Sequence, residues 1–530
     1  MKPIQLVSGF LTVGAWTMLS RAFGFIRDLM IATFLGTGPV AEAFFIAFSL
    51  PNMFRRFFAE GAFNTAFIPL FSKKLEANEA PHSFAQNSFA ALGSILIALT
   101  LIAQLTMPWL VLAIASGFAG DIRFELAVDY GRIVFIYVLF ISLAALLAGI
   151  LNANGFFSAA AAAPVFLNII LIGAIGLAIT FFTGDKTIEI QEQVEFKRYI
   201  GQHLVWGVVI AGIAQFALVW WASSRIGFSL WPTRPRITPD LRRLAIIAAP
   251  AMLSAGVMQI NLLVGRQVGS FFDGAIAWLS FADRLYQLPL GVIGIAIGVV
   301  LLPALSRKIQ SKDTDGSRIV FNRAVEMAMT ITIPSSVALL IIPEQLVSVL
   351  FQRGAFTPHD VTETAAAVAI YGIGLPAFVM QKVLQTVYFA QEDTKAPFRY
   401  AVISMIINAV VAISMAYTIG FIGAAIGTTV AGWVMLWLLA TGARKKGNIA
   451  MLDEGLKSRL PKMVISAGTM GVTLFLLSSG LEPILLIQGW RWLAIGILIL
   501  GGTLIYFGIG YFIGAFRAEE FRKGLHDRKK

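Results

Sequence analysis

The sequence predicts an all-α polytopic membrane protein with about fourteen transmembrane helices, and three observations carry that expectation. Of 530 residues, 58% are hydrophobic and 13% charged, against about 25% charged in a soluble domain. Apolar runs of about 20 residues, the length that crosses a bilayer core, recur along the whole chain. Lys and Arg collect in alternate connections between those runs, as positive-inside topology requires. The net charge of +12 has the same origin, so it points to membrane topology and not to nucleic acid. Cysteine is absent and the four histidines are scattered at 82, 203, 359 and 526. No disulfide framework, thiol nucleophile or His/Cys metal site is therefore expected.

Taken in order, spans are expected near 7–35, 40–71, 85–115, 124–152, 158–182 and 203–223. A second set follows near 243–272, 276–305, 319–343, 363–390, 396–418 and 420–442, then a pair near 459–479 and 490–516. The first stretch contains Arg21 and Arg27 and has no small-residue cleavage site, so it reads as a retained span and not a signal peptide. Gly24 interrupts the first span and Pro51 the second. Broken helices in membranes line cavities or are repacked by neighbours, which makes both positions hinge candidates.

Basic residues mark one face of the membrane: Lys73 and Lys74; Arg225, Arg234, Arg236, Arg242 and Arg243; Arg307, Lys308, Lys312 and Arg318. Arg444, Lys445, Lys446, Lys457 and Arg459 continue the pattern, and so do six cations from Arg517 to Lys530. The opposite connections are short or acidic, as at 36–40, Asp273-Gly274 and the stretch holding Asp185, Glu189, Glu192 and Glu195. Both termini read as cytoplasmic, which demands an even number of spans. No connection is long enough for a soluble ATPase domain, and no G-x-x-x-x-G-K-[ST] run occurs. Energy coupling falls to the membrane potential, an ion gradient or a partner.

Ala66-Phe67-Ile68-Pro69-Leu70-Phe71-Ser72-Lys73-Lys74 closes the second span, and Val300-Leu301-Leu302-Pro303-Ala304-Leu305-Ser306-Arg307-Lys308 closes the eighth. Six spans separate these copies, so the repeat is parallel. It suggests two six-helix lobes around a shared site: 1–223, then 224–442 with its preceding linker, then 443–530 with two last helices and a tail.

Charges inside spans are the functional signal. They are Arg21, Arg27 and Asp28 in the first, Arg55, Arg56 and Glu60 in the second, Arg266 in the seventh, Asp283 and Arg284 in the eighth, and Lys382 in the tenth. Each cation at a helix centre costs roughly 2.5–3.5 kcal/mol on insertion scales. Facing lipid is therefore excluded for the set: they line water, pair with acids, or snorkel to an interface. Arg27-Asp28 and Asp283-Arg284 also read as local structural pairs. Cations outnumber acids and occupy matching spans of the two lobes, which favours an anionic ligand; arginine's planar fork suits phosphate. Ser49, Asn52 and Arg56 share one polar stripe by their i, i+3, i+7 spacing.

At these residues the chain resembles the MurJ (MviN) family of lipid II flippases, in the multidrug/oligosaccharidyl-lipid/polysaccharide exporter superfamily. The likeness is carried by Ser20-Arg21-x-x-Gly24-Phe25-x-Arg27-Asp28, by Glu42-Ala43-Phe44-Phe45, and by Leu50-Pro51-Asn52-x-x-Arg55-Arg56-x-x-Ala59-Glu60-Gly61-Ala62-Phe63. Ala282-Asp283-Arg284-Leu285-x-x-x-Pro289-x-Gly291-x-x-Gly294 adds to it. The resemblance implies a V-shaped bundle with a central cationic cavity, alternating access, and lipid II as substrate for peptidoglycan synthesis and cell shape. It places the chain in the bacterial inner membrane beside the cell-wall synthesis machinery. It assigns substrate binding to Arg21, Arg27, Arg55 and Arg284 with Ser20, Asn52 and Arg56, and structural or gating roles to Asp28, Glu42, Glu60 and Asp283. The last two helices would shape a groove for the lipid tail. No catalytic residue, cofactor or metal is expected.

Two departures stand out. Members of that family often carry lysine where this chain has Ser49. Some bind sodium through carboxylates in the seventh and eleventh helices, where this chain offers Gln259, Asn261, Asn408 and Ala412. The alternatives are a sibling flippase for another polyprenyl-linked glycan, a multidrug antiporter, a membrane-embedded enzyme acting on lipid-linked sugars, or a scaffold of the cell-wall machinery. An enzyme would need loop carboxylates or a metal site, which the short connections do not supply.

Overall fold

Hydrocarbon offers no partner for backbone N–H and C=O groups, so apolar spans must satisfy them internally. The computed structural model describes residues 3–55, 62–182, 190–297, 301–445, 447–485, 487 and 489–516. Among these residues every regular element is helical. The chain packs as two compact units, 1–277 with 353–356, and 278–352 with 357–530.

The first unit contains α1 (Pro3–Leu35), α2 (Pro39–Arg55), α3 (Ala62–Ala77), α4 (Pro81–Ile114), α5 (Ile122–Phe135), α6 (Tyr137–Ala153), α7 (Ser158–Phe181), α8 (Ile190–Arg225) and α9 (Pro239–Gly269). Here α1 lies on α7, α2 on α5, and α6 and α7 on α8. Phe44, Phe67, Phe71, Phe135 and Tyr137 are fully buried between them. α9, which the repeat places at the start of the second lobe, packs against α3 and α4.

α10 (Ala275–Ala296) leads into the second unit, with α11 (Leu302–Gln310), α12 (Thr314–Ile341), α13 (Pro343–Phe351), α14 (Pro358–Ala390), α15 (Lys395–Ile419), α16 (Ile422–Lys445), α17 (Glu454–Gly480), α18 (Glu482–Leu485) and α19 (Arg491–Phe512). α16 presses on α14 and α15, and α17 bridges α12 and α19. A Cβ at Gly423 would sit 2.6 Å from the Ala416 nitrogen, and one at Gly427 2.7 Å from Ala412 Cβ. This small-x-x-x-small pair lets α16 touch the α15 backbone, the usual route to close helix packing where lipid supplies no hydrophobic drive.

Among the described residues ten helices are long and apolar enough to cross a membrane: α4, α5 with α6, α7, α8, α12, α14, α15, α16, α17 and α19. The protein is therefore multi-pass. The other four expected spans, 7–35, 40–71, 243–272 and 276–305, contain α1, α2 with α3, α9, and α10 with α11, and stand outside those ten. The number of about fourteen rests on adding them.

Three local expectations are corrected. α1 runs unbroken through Gly24, and α2 continues through Pro51 to Arg55. Proline removes one hydrogen bond from the α2 ladder without ending it, as membrane helices with packed neighbours allow. α8 begins at 190, so Glu192 and Glu195 belong to a helix and not to a connection; acids suit the positive end of a helix dipole. Asp185 and Glu189 lie outside the described residues.

Side chains cap several helix starts and so take up N–H groups that have no partner within the helix. Asp121 Oδ1 accepts from Arg123 N at 3.2 Å, Asp313 Oδ1 from Gly316 N at 2.8 Å, and Asp453 Oδ1 from Leu456 N at 2.7 Å. Thr357 and Asp360 form a reciprocal capping box on α14.

Candidate functional site

The cation-bearing helices place their arginines in two different settings. Arg27, on the α1 face that meets α7, is 6% exposed. Its Nη2 donates to Asp28 Oδ1 at 2.7 Å, its Nε to the same oxygen at 3.0 Å, and its Nη1 to Asn168 Oδ1 at 2.9 Å. Asn168 in turn donates through Nδ2 to the Ser20 carbonyl at 2.9 Å and lies 3.3 Å from Ser20 Oγ. One amide on α7 thus ties together Ser20, Arg27 and, through Arg27, Asp28. A Cβ at Gly24 would lie 3.5 Å from Asn168 Nδ2, an ordinary contact. Gly24 therefore borders this network without being sterically required by it.

Arg21, on the same helix, is exposed, and Arg55 at the end of α2 is half-buried. Asn52 Nδ2 donates to the Phe48 carbonyl at 3.0 Å, and the buried Ser49 hydroxyl donates to the Ile46 carbonyl at 2.6 Å. Both side chains turn back on their own helix, and Pro51 is buried beside them. Arg56 and Glu60 lie outside the described residues.

In the second unit Arg284 is exposed on α10. Asp283, half-buried next to it, accepts a hydrogen bond from Gln287 Nε2. The neighbouring Tyr286 ring lies 5.0 Å from Tyr371 and 5.5 Å from Phe378. Lys382 is exposed on α14, its Nζ 3.9 Å from where a Gly294 Cβ would stand.

Glu42 belongs to another cluster, at the end of the first unit that carries connections 36–38, 115–121 and 270–274. Its side chain is 1% exposed. Oε2 accepts from Arg123 Nη1 at 3.1 Å, and Oε1 from the Ile276 backbone N–H at 3.0 Å. Arg123 is also buried; it pairs with Asp121 on one side and with Asp273 Oδ1 at 2.8 Å on the other, and stands 4.6 Å over the Phe118 ring. Partial burial works to raise the Asp121 carboxyl, but hydrogen bonds from the Arg123 backbone and guanidinium outweigh it and hold the group below its ordinary value. Nearby, Gly117 N donates to Ser270 Oγ at 3.0 Å and Ser116 N to Gln267 Oε1 at 3.2 Å. At the same end Ala355 N donates to the Thr33 carbonyl at 2.8 Å.

Sequence reasoning missed Asn168 and Arg123. Arg123 sits one residue before the expected start of the fourth span at 124, so it escaped a search for charges within spans; Asp121 two residues earlier was the available signal. Asn168 is a neutral polar residue in an otherwise apolar helix, a pattern that on a membrane span marks an interhelical hydrogen bond.

Among the described residues the regular elements are all helical and ten helices are long and apolar enough to span a membrane, which defines a polytopic membrane protein. Solved structures share that fold. The fold is similar to "Lipid II flippase MurJ, inward closed conformation", at TM-score 0.77 and 24% identity over 95% of this chain and 98% of that one. It is also similar to an inward-facing multidrug resistance MATE family transporter of the MOP superfamily, at TM-score 0.64 and 14% identity over 85% of this chain and 99% of that one. The family model described as "Lipid II flippase MurJ" matches residues 31–488. A probable lipid II flippase MurJ of Rhizobium tropici is 39% identical across 99% of this chain and 98% of its own length. One of Rhizobium meliloti (strain 1021) is 40% identical across 98% and 96%. The chain belongs to the lipid II flippase MurJ family.

Proposed function

We propose that this chain translocates lipid II from the cytoplasmic to the periplasmic leaflet of the bacterial inner membrane by alternating access, with both termini cytoplasmic. The observation that carries this reading is the kinship itself. It runs over 99% of the chain at 39% identity to a relative bearing that name, and so covers every cation-bearing helix. Lipid II presents a diphosphate between a large polar headgroup and a polyprenyl tail, so it needs a cationic surface beside hydrocarbon. Arg21 in the first unit and Arg284 in the second are exposed residues, and Arg55 is half-buried, all on otherwise apolar helices. Each can grip phosphate oxygens in a bidentate fork.

Arg27 is a positioning residue in this scheme. Each of its three nitrogens donates to Asp28 or Asn168, fixing α1 on α7 and with it the place of Arg21. The Glu42–Arg123–Asp273 cluster joins α2, α5 and the start of α10 at the end that the acidic connections make periplasmic. Release of substrate to that side requires the cluster to part. A net positive binding surface couples such motion to the membrane potential at about 2.3 kcal/mol per charge per 100 mV. The product then passes to the cell-wall synthesis machinery.

The test combines complementation of cells depleted of their native flippase with voltage-dependent translocation of lipid II in proteoliposomes. Arg21→Ala, Arg55→Ala and Arg284→Ala should each abolish or cripple both. Competing lipid-linked sugars without the peptide should be carried poorly. Full activity of all three variants would refute the binding assignment; equal transport of the other lipid-linked sugars would refute the substrate.

A further inference from the structure

A pocket lies in the first unit, apart from every residue assigned above. The space is about 770 Å³, within the roughly 300–1,000 Å³ typical of ligand sites. It sits among α4, α6, α8 and the linker 226–238. Its deep wall is hydrocarbon: Ile97, Leu139, Phe140, Leu143 and Phe216. Its mouth is polar and basic, with Thr233 and Arg234 on the linker, and Arg236, also exposed, two residues on.

The mouth is built and not a loose flap. Gln86 Nε2 donates to Thr233 Oγ1 at 3.1 Å and to the Trp231 carbonyl, while its Oε1 accepts from Trp231 N at 3.3 Å. Trp220 Nε1 donates to the Leu230 carbonyl at 2.8 Å, and the Trp220 and Trp231 rings meet edge to face at 5.1 Å. From Phe89 to Ile97 the α4 wall descends eight residues, about 12 Å at helical rise. Ile97 at the bottom is 51% exposed and Trp231 at the mouth 60%, so the pocket opens sideways along the face that meets lipid. Tryptophan and arginine together at one end are the signature of the headgroup level.

From this gradient we infer that the pocket holds an anionic phospholipid of the bilayer, one acyl chain among α4, α6 and α8 and its phosphate at Arg234 and Arg236. The charge fits that occupant: the linker and its flanks carry Arg225, Arg234, Arg236, Arg242 and Arg243 against Asp240 alone. The positive-inside rule puts this end in the leaflet whose anionic lipids attract basic segments. The site is distinct from the substrate assignment and does not depend on it.

Brominated acyl chains quench nearby tryptophan, so the probe is phosphatidylglycerol with a brominated chain, added to the purified full-length protein in detergent. Brominated phosphatidylcholine serves as the neutral control. Phosphatidylglycerol should quench at a several-fold lower mole fraction, and the difference should vanish when Trp220→Phe and Trp231→Phe are combined. Arg234→Gln and Arg236→Gln, both at exposed positions, should each weaken the phosphatidylglycerol response about fivefold and leave the neutral lipid unchanged. Gly93 borders the space, and a Cβ there would meet nothing closer than Leu143 Cδ2 at 3.9 Å; Gly93→Phe should fill the pocket and abolish the preference for phosphatidylglycerol, leaving the common quenching of the other exposed tryptophans. Equal quenching by the two lipids, indifference to the arginine changes, or no quenching at all (as when a partner helix covers the pocket) overturns the inference. Displacement of the brominated lipid by equimolar lipid II overturns it too, since the pocket would then belong to the substrate.

Discussion

Arg123→Ala should loosen one end of the first unit by an amount the ion-pair geometry sets. The Arg123 and Glu42 side chains are 6% and 1% exposed, with nitrogen and oxygen 3.1 Å apart. Two unit charges at that distance attract by about 5 kcal/mol at an effective dielectric near 20. Removing one partner of such a buried pair costs about 3–5 kcal/mol, because the other charge is left in low dielectric. Asp273 lies closer, at 2.8 Å, but its side chain is 91% exposed, so its pair with Arg123 is worth at most about 1 kcal/mol. Glu42 regains water only if the end opens, so the penalty acts on the closed arrangement. A cost of about 3 kcal/mol corresponds to about a hundredfold more opening.

The chain has no cysteine, so Ala275→Cys, at a position 0% exposed, gives a single reporter for a membrane-impermeant maleimide. Labelling should be slow in the parent, at least about tenfold faster with Arg123→Ala, and less than about fivefold faster with Asp273→Asn. Combining Glu42→Gln with Arg123→Met removes the stranded charge and should bring labelling back toward the parent rate, which separates opening from misfolding. The reasoning is refuted if Arg123→Ala leaves the rate within twofold of the parent, or if Asp273→Asn matches it.

Asn168→Leu should lower thermal stability of the purified protein by about 1–3 kcal/mol, since it strips partners from a buried guanidinium and from the Ser20 carbonyl. It should also reduce lipid II transport as Arg27→Ala does; normal transport would separate Arg27 from substrate positioning. Gly354→Ala should destabilise by more than the roughly 1–2 kcal/mol of a left-handed backbone, because its φ is +55° and the new Cβ would collide with the Thr33 carbonyl. Gly227→Ala, at φ +89° with nothing within 4 Å, should show the backbone cost alone; equal melting shifts would refute the contact. The Asp121 carboxyl is held below its ordinary value, so its contribution is complete above the unfolded-state pKa and is lost as pH falls through the lowered one. The Asp121-dependent part of the Ala275→Cys protection, read as the difference between parent and Asp121→Asn, should therefore persist to the bottom of the carboxylate range. Its loss between pH 7 and 5 would contradict that sign.

The sequence declares what length and repetition can encode. Apolar runs near 20 residues survive as α4, α7, α12, α14, α15, α16, α17 and α19, within several residues of their expected bounds, and as α8, which starts thirteen residues before its expected bound, because no other regular structure satisfies a lone backbone in hydrocarbon. The departures occur where one residue was asked to decide alone. Gly24 looks like a break, yet α1 stays helical through it; Pro51 subtracts a hydrogen bond that α2 tolerates. Within the site, the types and positions of the arginines were legible, but their settings were not. Arg27 beside Asp28 is an adjacent pair readable from one line of sequence, whereas Arg123 meets Glu42 from 81 residues away. Asn168 meets Arg27 from 141. Such meetings are products of packing, and no helical period announces them.

That distinction sorts the intramembrane cations by what they can do. A guanidinium with its donors spent on a buried carboxylate and amide has little left for a passing diphosphate, and freeing it would strand Asp28, 2% exposed. Arg27 is of this kind, and Arg123 at the start of α5 is held likewise by the buried Glu42 carboxylate; the return on burying them is geometric: each fixes one helix against another at a defined register, the best-attested use of an interior ion pair. Arg21 stands six residues before Arg27 on one continuous helix, about 9 Å along its axis. Locking Arg27 to α7 therefore sets where Arg21 stands, and in the proposed function the exposed Arg21 is the one that changes partners as substrate arrives and leaves. A flippase needs both properties at once. A site made only of locked arginines could not bind, and one made only of mobile arginines would have no fixed place to bind from.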